Sequence, residues 1–163
     1  MELKIYISRA AVMERIITES VYLAGRAQDA DVQAFDKLYV TDDDRMLLDS
    51  YFNDALSALT SAVDEYMSDC TSISASASQR DDCTLTLHLP SHVSASVSSL
   101  SCDAQNFIAN AVISDYLARL NDARSKLYSD SANSLLQSVI KKINSRKRLT
   151  RSDVLHKIQE NVQ

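Results

Sequence analysis

One glycine and one proline in 163 residues leave this chain almost no way to turn except through Asp, Asn and Ser. β-Sandwiches and barrels draw on both residues for positive-φ turns and strand punctuation, so they are poor candidates. Phosphate-cradling loops need two or three glycines within a few positions, which excludes the P-loop and dinucleotide-binding patterns as well. A hydrophobic content of 45% supplies a core, and the length suits one domain. The expectation is a mainly α protein, a helical bundle of about four helices over residues 1–149, with a tail over 150–163.

No run approaches the roughly 18 apolar residues of a membrane span. The N-terminus alternates polar and apolar residues from Glu2 to Ile7, where a signal peptide would be continuously apolar. Three cysteines, an odd number, fit free thiols in a reducing compartment. These features predict a soluble, non-secreted protein without membrane contact. The net charge of −5 conceals a separation: residues 1–69 carry 14 acids against 6 bases, and residues 141–163 carry 7 bases against 2 acids. These signs suit helix dipoles, with Asp42, Asp43 and Asp44 at a helix start and Lys141, Lys142, Arg146, Lys147 and Arg148 at a helix end. They also suit a dipolar subunit that packs head-to-tail or docks its basic tail on an acidic partner.

Leu3, Ile5 and Ile7 share one face of a short extended segment, and Ser8 stands where a helix cap belongs. Val12, Met13, Ile16, Ile17 and Leu23 then follow a helical period toward Gly25, a natural stop. A mixed connection over residues 26–41 leads to the clearest helix. Thr41 or Asp42 caps it, and nothing interrupts it before Asp69. Leu48, Phe52, Ala55, Leu59, Ala62 and Tyr66 make its seam.

Between residues 71 and 89 the period changes to two. Thr71, Ile73, Ala75 and Ala77 alternate with serines, and Cys83, Leu85, Leu87 and Leu89 alternate with Thr84, Thr86 and His88. This predicts a β-hairpin inserted between the second and third long helices, with Ile73 opposite Leu87, Ala75 opposite Leu85 and a loop at Gln79-Arg80-Asp81. Pro90 ends the second strand. A third helix follows through Val93, Val97, Leu100, Ala104, Phe107, Ile108, Val112 and Leu117. A fourth, capped by Asn121 or Asp122, buries Leu127, Tyr128, Ala132, Leu135, Leu136, Val139, Ile140 and Ile143. The tail has helical spacing at Val154, Leu155, Ile158 and Val162.

Catalytic and metal-binding patterns are weak. Cys70, Cys83, His88, His92 and Cys102 are ligand types without the close pairs that mark zinc, and no Glu-x-x-His pair supports a di-iron bundle. No nucleophile elbow or Cys–His pair is present. The expectation is a protein that is not an enzyme and holds no cofactor or metal. The basic run Lys141–Arg151 lacks interleaved aromatics, which favours a local anchor over a general nucleic-acid binder.

The order of elements, and three segments within it, resembles the head–tail connector (neck adaptor) proteins of tailed bacteriophages. The segments are Thr41-Asp42-Asp43-Asp44-Arg45-Met46-Leu47-Leu48, Thr84-Leu85-Thr86-Leu87-His88-Leu89-Pro90-Ser91 and Asn144-Ser145-Arg146-Lys147-Arg148, and the likeness covers residues 41–148. It implies a virion structural protein of the neck, assembled in the host cytoplasm as a homo-oligomeric ring, often of twelve copies. Such a ring joins the portal protein to the tail or a second neck protein and lines the DNA channel, with transient contact to passing DNA. Ile73, Arg80, Leu85 and Leu87 of the hairpin would add strands to a neighbour's sheet. Lys141, Lys142, Arg146, Lys147, Arg148 and Arg151 would meet an acidic neighbour. The alternative is a cytoplasmic helical-bundle interaction module or small regulator.

Overall fold

In a computed structural model, which describes residues 2–28, 38, 40–69, 82–89, 96–120 and 122–145, the alternation at the N-terminus becomes a strand. This strand, β1 (Glu2–Ile7), buries Leu3, Ile5 and Ile7 and exposes Glu2, Lys4 and Tyr6. After it come α1 (Arg9–Gln28), α2 (Arg45–Val63), β2 (Met67–Asp69), β3 (Cys83–His88), α3 (Val97–Arg119) and α4 (Ser125–Ile143). The fold is mainly helical, with an antiparallel hairpin, β2–β3, inserted between two long helices.

The hairpin belongs to a three-stranded antiparallel sheet of order β1-β3-β2, so β3 is central. Leu87 has Leu3 on one side and Met67 on the other. Both its edges are taken, which corrects the register that set Ile73 against it; Ile73 itself lies outside the described residues. The alternation of β3 identified the strand but not its neighbours, because its pairing with β1 joins positions as far apart as Leu3 and Leu87. Met67 pairs with Leu87 and Asp69 with Thr86, so β2 carries an irregularity at its middle residue.

The helix expected to reach Asp69 ends at Val63. A 3-10 turn over Asp64–Tyr66 redirects the chain into β2. Helical propensity over residues 64–69 is worth a few tenths of a kcal/mol per residue, less than the pairing and burial gained by joining the sheet. Helix α2 starts at Arg45, later than a cap at Thr41 or Asp42 places it, because Asp42–Asp44 form a 3-10 turn ahead of it, and the side-chain bonds at Thr41 run in the reverse direction. Thr41 donates from both its backbone N–H (3.0 Å) and its hydroxyl (2.9 Å) to the Asp44 carboxylate. Leu48, Phe52, Ala55 and Leu59 are buried as the seam requires, joined by Leu56 and Val63, while Ala62 and Tyr66 are half-buried.

One cap comes from a distant segment and one is the expected local residue Asp122. The side chain accepting the Arg9 N–H at the start of α1 is the carboxylate of Asp82 (3.1 Å), 73 positions away, and Ser8 supplies its backbone carbonyl to Val12. At the α3–α4 turn, Asp122 Oδ1 accepts the Arg124 backbone N–H at 2.8 Å, and its carboxylate also takes the Arg124 guanidinium. The hydrogen bond from Arg124 holds the Asp122 carboxyl below the usual carboxylate range. A lowered folded-state pKa stabilises above the unfolded value, and the gain disappears as pH falls through the lowered one. Asp122→Asn is therefore expected to lower stability by about 1 kcal/mol at pH 7. Thermal melts of the two proteins should converge as pH falls below about 4.

Gly25 does not end α1, which continues to Gln28. A Cβ built on Gly25 meets nothing within 4 Å. With a helical backbone and open space, Gly25→Ala should raise stability by about 0.5–1 kcal/mol, read as a higher denaturation midpoint at unchanged slope.

Helix α3 is the centre of the molecule and packs against α1, α2, α4 and β1. Its buried residues surround it, including Leu100, Ala104, Phe107, Ile108, Val112, Ile113 and Leu117. Helix α4 contributes Ala132, Val139 and Ile143, while Leu127, expected in the core, is 69% exposed. The cap at Asn121 and the helical spacing at Val93 and beyond Thr150 fall on residues outside the described set.

Candidate functional site

Three polar residues on α3 are buried, one satisfied from β1 and two from α4. Ser101 Oγ accepts the Tyr6 backbone N–H (3.0 Å), Asn110 Nδ2 donates to Ser131 Oγ (2.9 Å), and Ser114 Oγ donates to the Ser125 carbonyl (3.0 Å). Gln105 donates to the Tyr6 carbonyl at 3.0 Å, so both outward main-chain groups of Tyr6 on the edge strand are covered by α3. Among the described residues no buried side-chain nitrogen or oxygen lacks a partner.

Asp103, Asn106, Asn110 and Ser114 recur every three or four positions and make a polar stripe along α3. From α1, Arg15 donates to the side-chain carbonyl oxygens of Asn106 and Asn110. From α4, Ser138 (2.8 Å) and Lys142 (2.6 Å) both donate to Asp103 Oδ2, and Lys142 also reaches Ser99 Oγ. Tyr128 on α4 donates its hydroxyl to Glu19 on α1 at 2.5 Å. Burial first, then that bond and the Glu19 charge, push the phenol well above its ordinary value, so it stays a neutral donor. The stripe thus joins three helices through hydrogen bonds.

The α2 side of α3 is acidic. Asp54 on α2 acts on Asp115 of α3, and loss of solvent followed by that like charge pushes the Asp115 carboxyl up. Burial, then the charge of Asp44, raises the neighbouring Tyr116 phenol. Near the N-terminus of α1, Arg9 pairs with Asp49 and lies 4.7 Å over the Phe52 ring, tying α1 to α2.

The hairpin residues expected at an interface fare unequally. Leu85 and Leu87 are 1% and 0% exposed and serve the chain's own core, because β3 is the central strand of the sheet. Ile73 and Arg80 lie outside the described residues. In the basic cluster, Lys141 is exposed, whereas Lys142 is committed to Asp103 within the subunit. Arg146, Lys147, Arg148 and Arg151 lie outside the described residues.

No three His, Cys, Asp or Glu side chains among the described residues are grouped to hold a metal ion. A cavity of about 10 Å³ between α1 and α3, lined by Ile16, Ser20, Leu23, Ile113, Tyr116 and Leu117, has room for one water at most. What the described surface offers is side chains for another surface. Tyr22 is 55% exposed and stacks with Arg26 at 5.5 Å, and Leu127 stands next to Tyr128. The sequence stripes hid the polar row because Asn106 and Asn110 fall between apolar residues; their four-residue spacing in a helix otherwise buried all round was the available signal. Comparison with protein-family models, with characterised proteins and with solved structures gave no match.

Proposed function

We propose that this chain is a non-enzymatic subunit of a virion neck, a head–tail connector that assembles into a ring between the portal protein and the tail and lines the DNA channel. The observation that carries the reading is the order of elements. A β-hairpin interrupts the chain between α2 and α3, and the two following helices end at Lys141 and the basic run beyond it. Those are the elements on which the connector resemblance rests. A central helix wrapped by three others and a sheet makes a stiff block, suited to holding neighbours at fixed angles. Ile73 and Arg80, between β2 and β3 in the sequence, are the residues that the resemblance assigns to a neighbour's surface.

Native mass spectrometry and electron microscopy of the purified chain with its portal protein test this. A closed ring seated on the portal is the expected result. A monomer that never joins the portal overturns the reading, and a low-order stoichiometric complex favours a helical-bundle interaction module instead. Because β3 is core, the informative deletion replaces residues 71–80 alone by a short Gly-Ser linker. Assembly should fail while the helical circular-dichroism signal persists.

A further inference from the structure

The polar stripe of α3 that meets α1 and α4 and the acidic side of α3 lie on opposite sides of that helix. Asn106, in the stripe, and Asp115 are nine residues apart, about two and a half turns, which places them on opposite faces. The stripe side carries Arg15, held by the neutral side-chain carbonyls of Asn106 and Asn110. Glu19 accepts the Tyr128 hydroxyl and keeps its charge, so on this side of α1 Arg15 and Arg26 outweigh one acid. Tyr22 and Arg26 continue the same side of α1 at helical spacing, and Leu127, next to Tyr128 on α4, is exposed. Arg, Tyr and an exposed Leu are the side chains of an anchoring surface. The other side carries Asp54 and Asp115, with Asp43 and Asp44 at its end beside Arg45 and Arg119.

We propose that the face formed by Arg15, Tyr22, Arg26 and Leu127 docks on the Asp54–Asp115 face of a second copy of this chain. Opposite charge selects the partner face, and the placement of the two faces on opposite sides of α3 makes the contact heterologous. Each subunit then offers one face forward and the other back, the arrangement that closes into rings. A neighbour's guanidinium would also relieve the unfavourable influences on the Asp115 carboxylate. The proposal rests on the reading of the chain as a self-assembling ring subunit and adds which surfaces meet.

Sedimentation velocity of the full chain tests it with two charge-reversed proteins, Arg15→Glu with Arg26→Glu, and Asp54→Arg with Asp115→Arg. Each alone should associate at least ~10-fold more weakly than wild type, and an equimolar mixture should regain association, because each reversed face then finds its opposite. Mixing cannot rescue a misfolded subunit. Leu127→Ser leaves the Arg15 hydrogen bonds untouched and should also weaken association ~10-fold at an unchanged melting temperature. Reversed proteins that associate like wild type, or a mixture that stays dissociated while both melts are normal, overturn the face assignment and leave the ring reading standing. A wild-type chain that stays monomeric at ~1 mM, both alone and with its portal protein, overturns both.

Discussion

Phe52→Ala is expected to cost about 3–5 kcal/mol of folding stability, enough to unfold a large fraction of a marginally stable domain. The ring is fully buried in the seam of α2, and the cavity left by its removal is flanked by helices held in place by their other contacts. A second loss adds to the first. Arg9 lies 4.7 Å over the same ring while pairing with Asp49, so removing the ring also removes that cation–π contact. Phe52→Leu keeps most of the volume and should recover more than half of the loss. Urea denaturation followed by circular dichroism gives both values, and a cost for Phe52→Ala below about 1 kcal/mol would show that α1 and α2 do not meet at this ring.

Leu87→Ala should cost about 2–5 kcal/mol and do so in the isolated subunit, before any assembly. Leu87 is fully buried at the centre of the sheet, between Leu3 and Met67. If β3 were an exposed hairpin strand waiting for a neighbour, the same substitution would leave the monomer's melting temperature unchanged and impair only its association. His88→Ala is the control: its side chain is exposed on the other face of the strand, and the change should stay within about 0.5 kcal/mol. The pair therefore separates a structural strand from an interface strand by one thermal melt each.

Much of the helical architecture was legible locally. The apolar seam of α2 from Leu48 to Leu59 is buried, and so are Leu100, Phe107, Ile108, Val112 and Leu117 of α3, while the acids Asp42–Asp44 form a 3-10 turn just ahead of α2. The candidate site was less legible. Lys142 reads as one member of a basic cluster, yet it is neutralised by Asp103, 39 positions earlier. Arg15, Asn110 and Glu19 carry no motif, and they acquire meaning only when α1, α3 and α4 are side by side. Gly25 and the stretch from Asp64 to Asp69 misled for a related reason: punctuation and propensity are weak terms, about 1 kcal/mol or less per residue, and packing overrides them.

By itself, the sequence determined that this chain is a helical bundle with one β interruption. A single glycine and a single proline rule out the turn-rich folds, and the hydrophobic period changes from helical to alternating once between the long helices. Those signals act over one or two turns of chain, and they survive in any arrangement of the elements. Tertiary structure alone decided that β1 completes the sheet, that Asp82 caps a helix 73 positions before it, and that α3 lies at the centre with a polar stripe bonded to α1 and α4. Pairing register and polar satisfaction depend on which distant segments meet, and only the energy of the assembled core selects among those meetings.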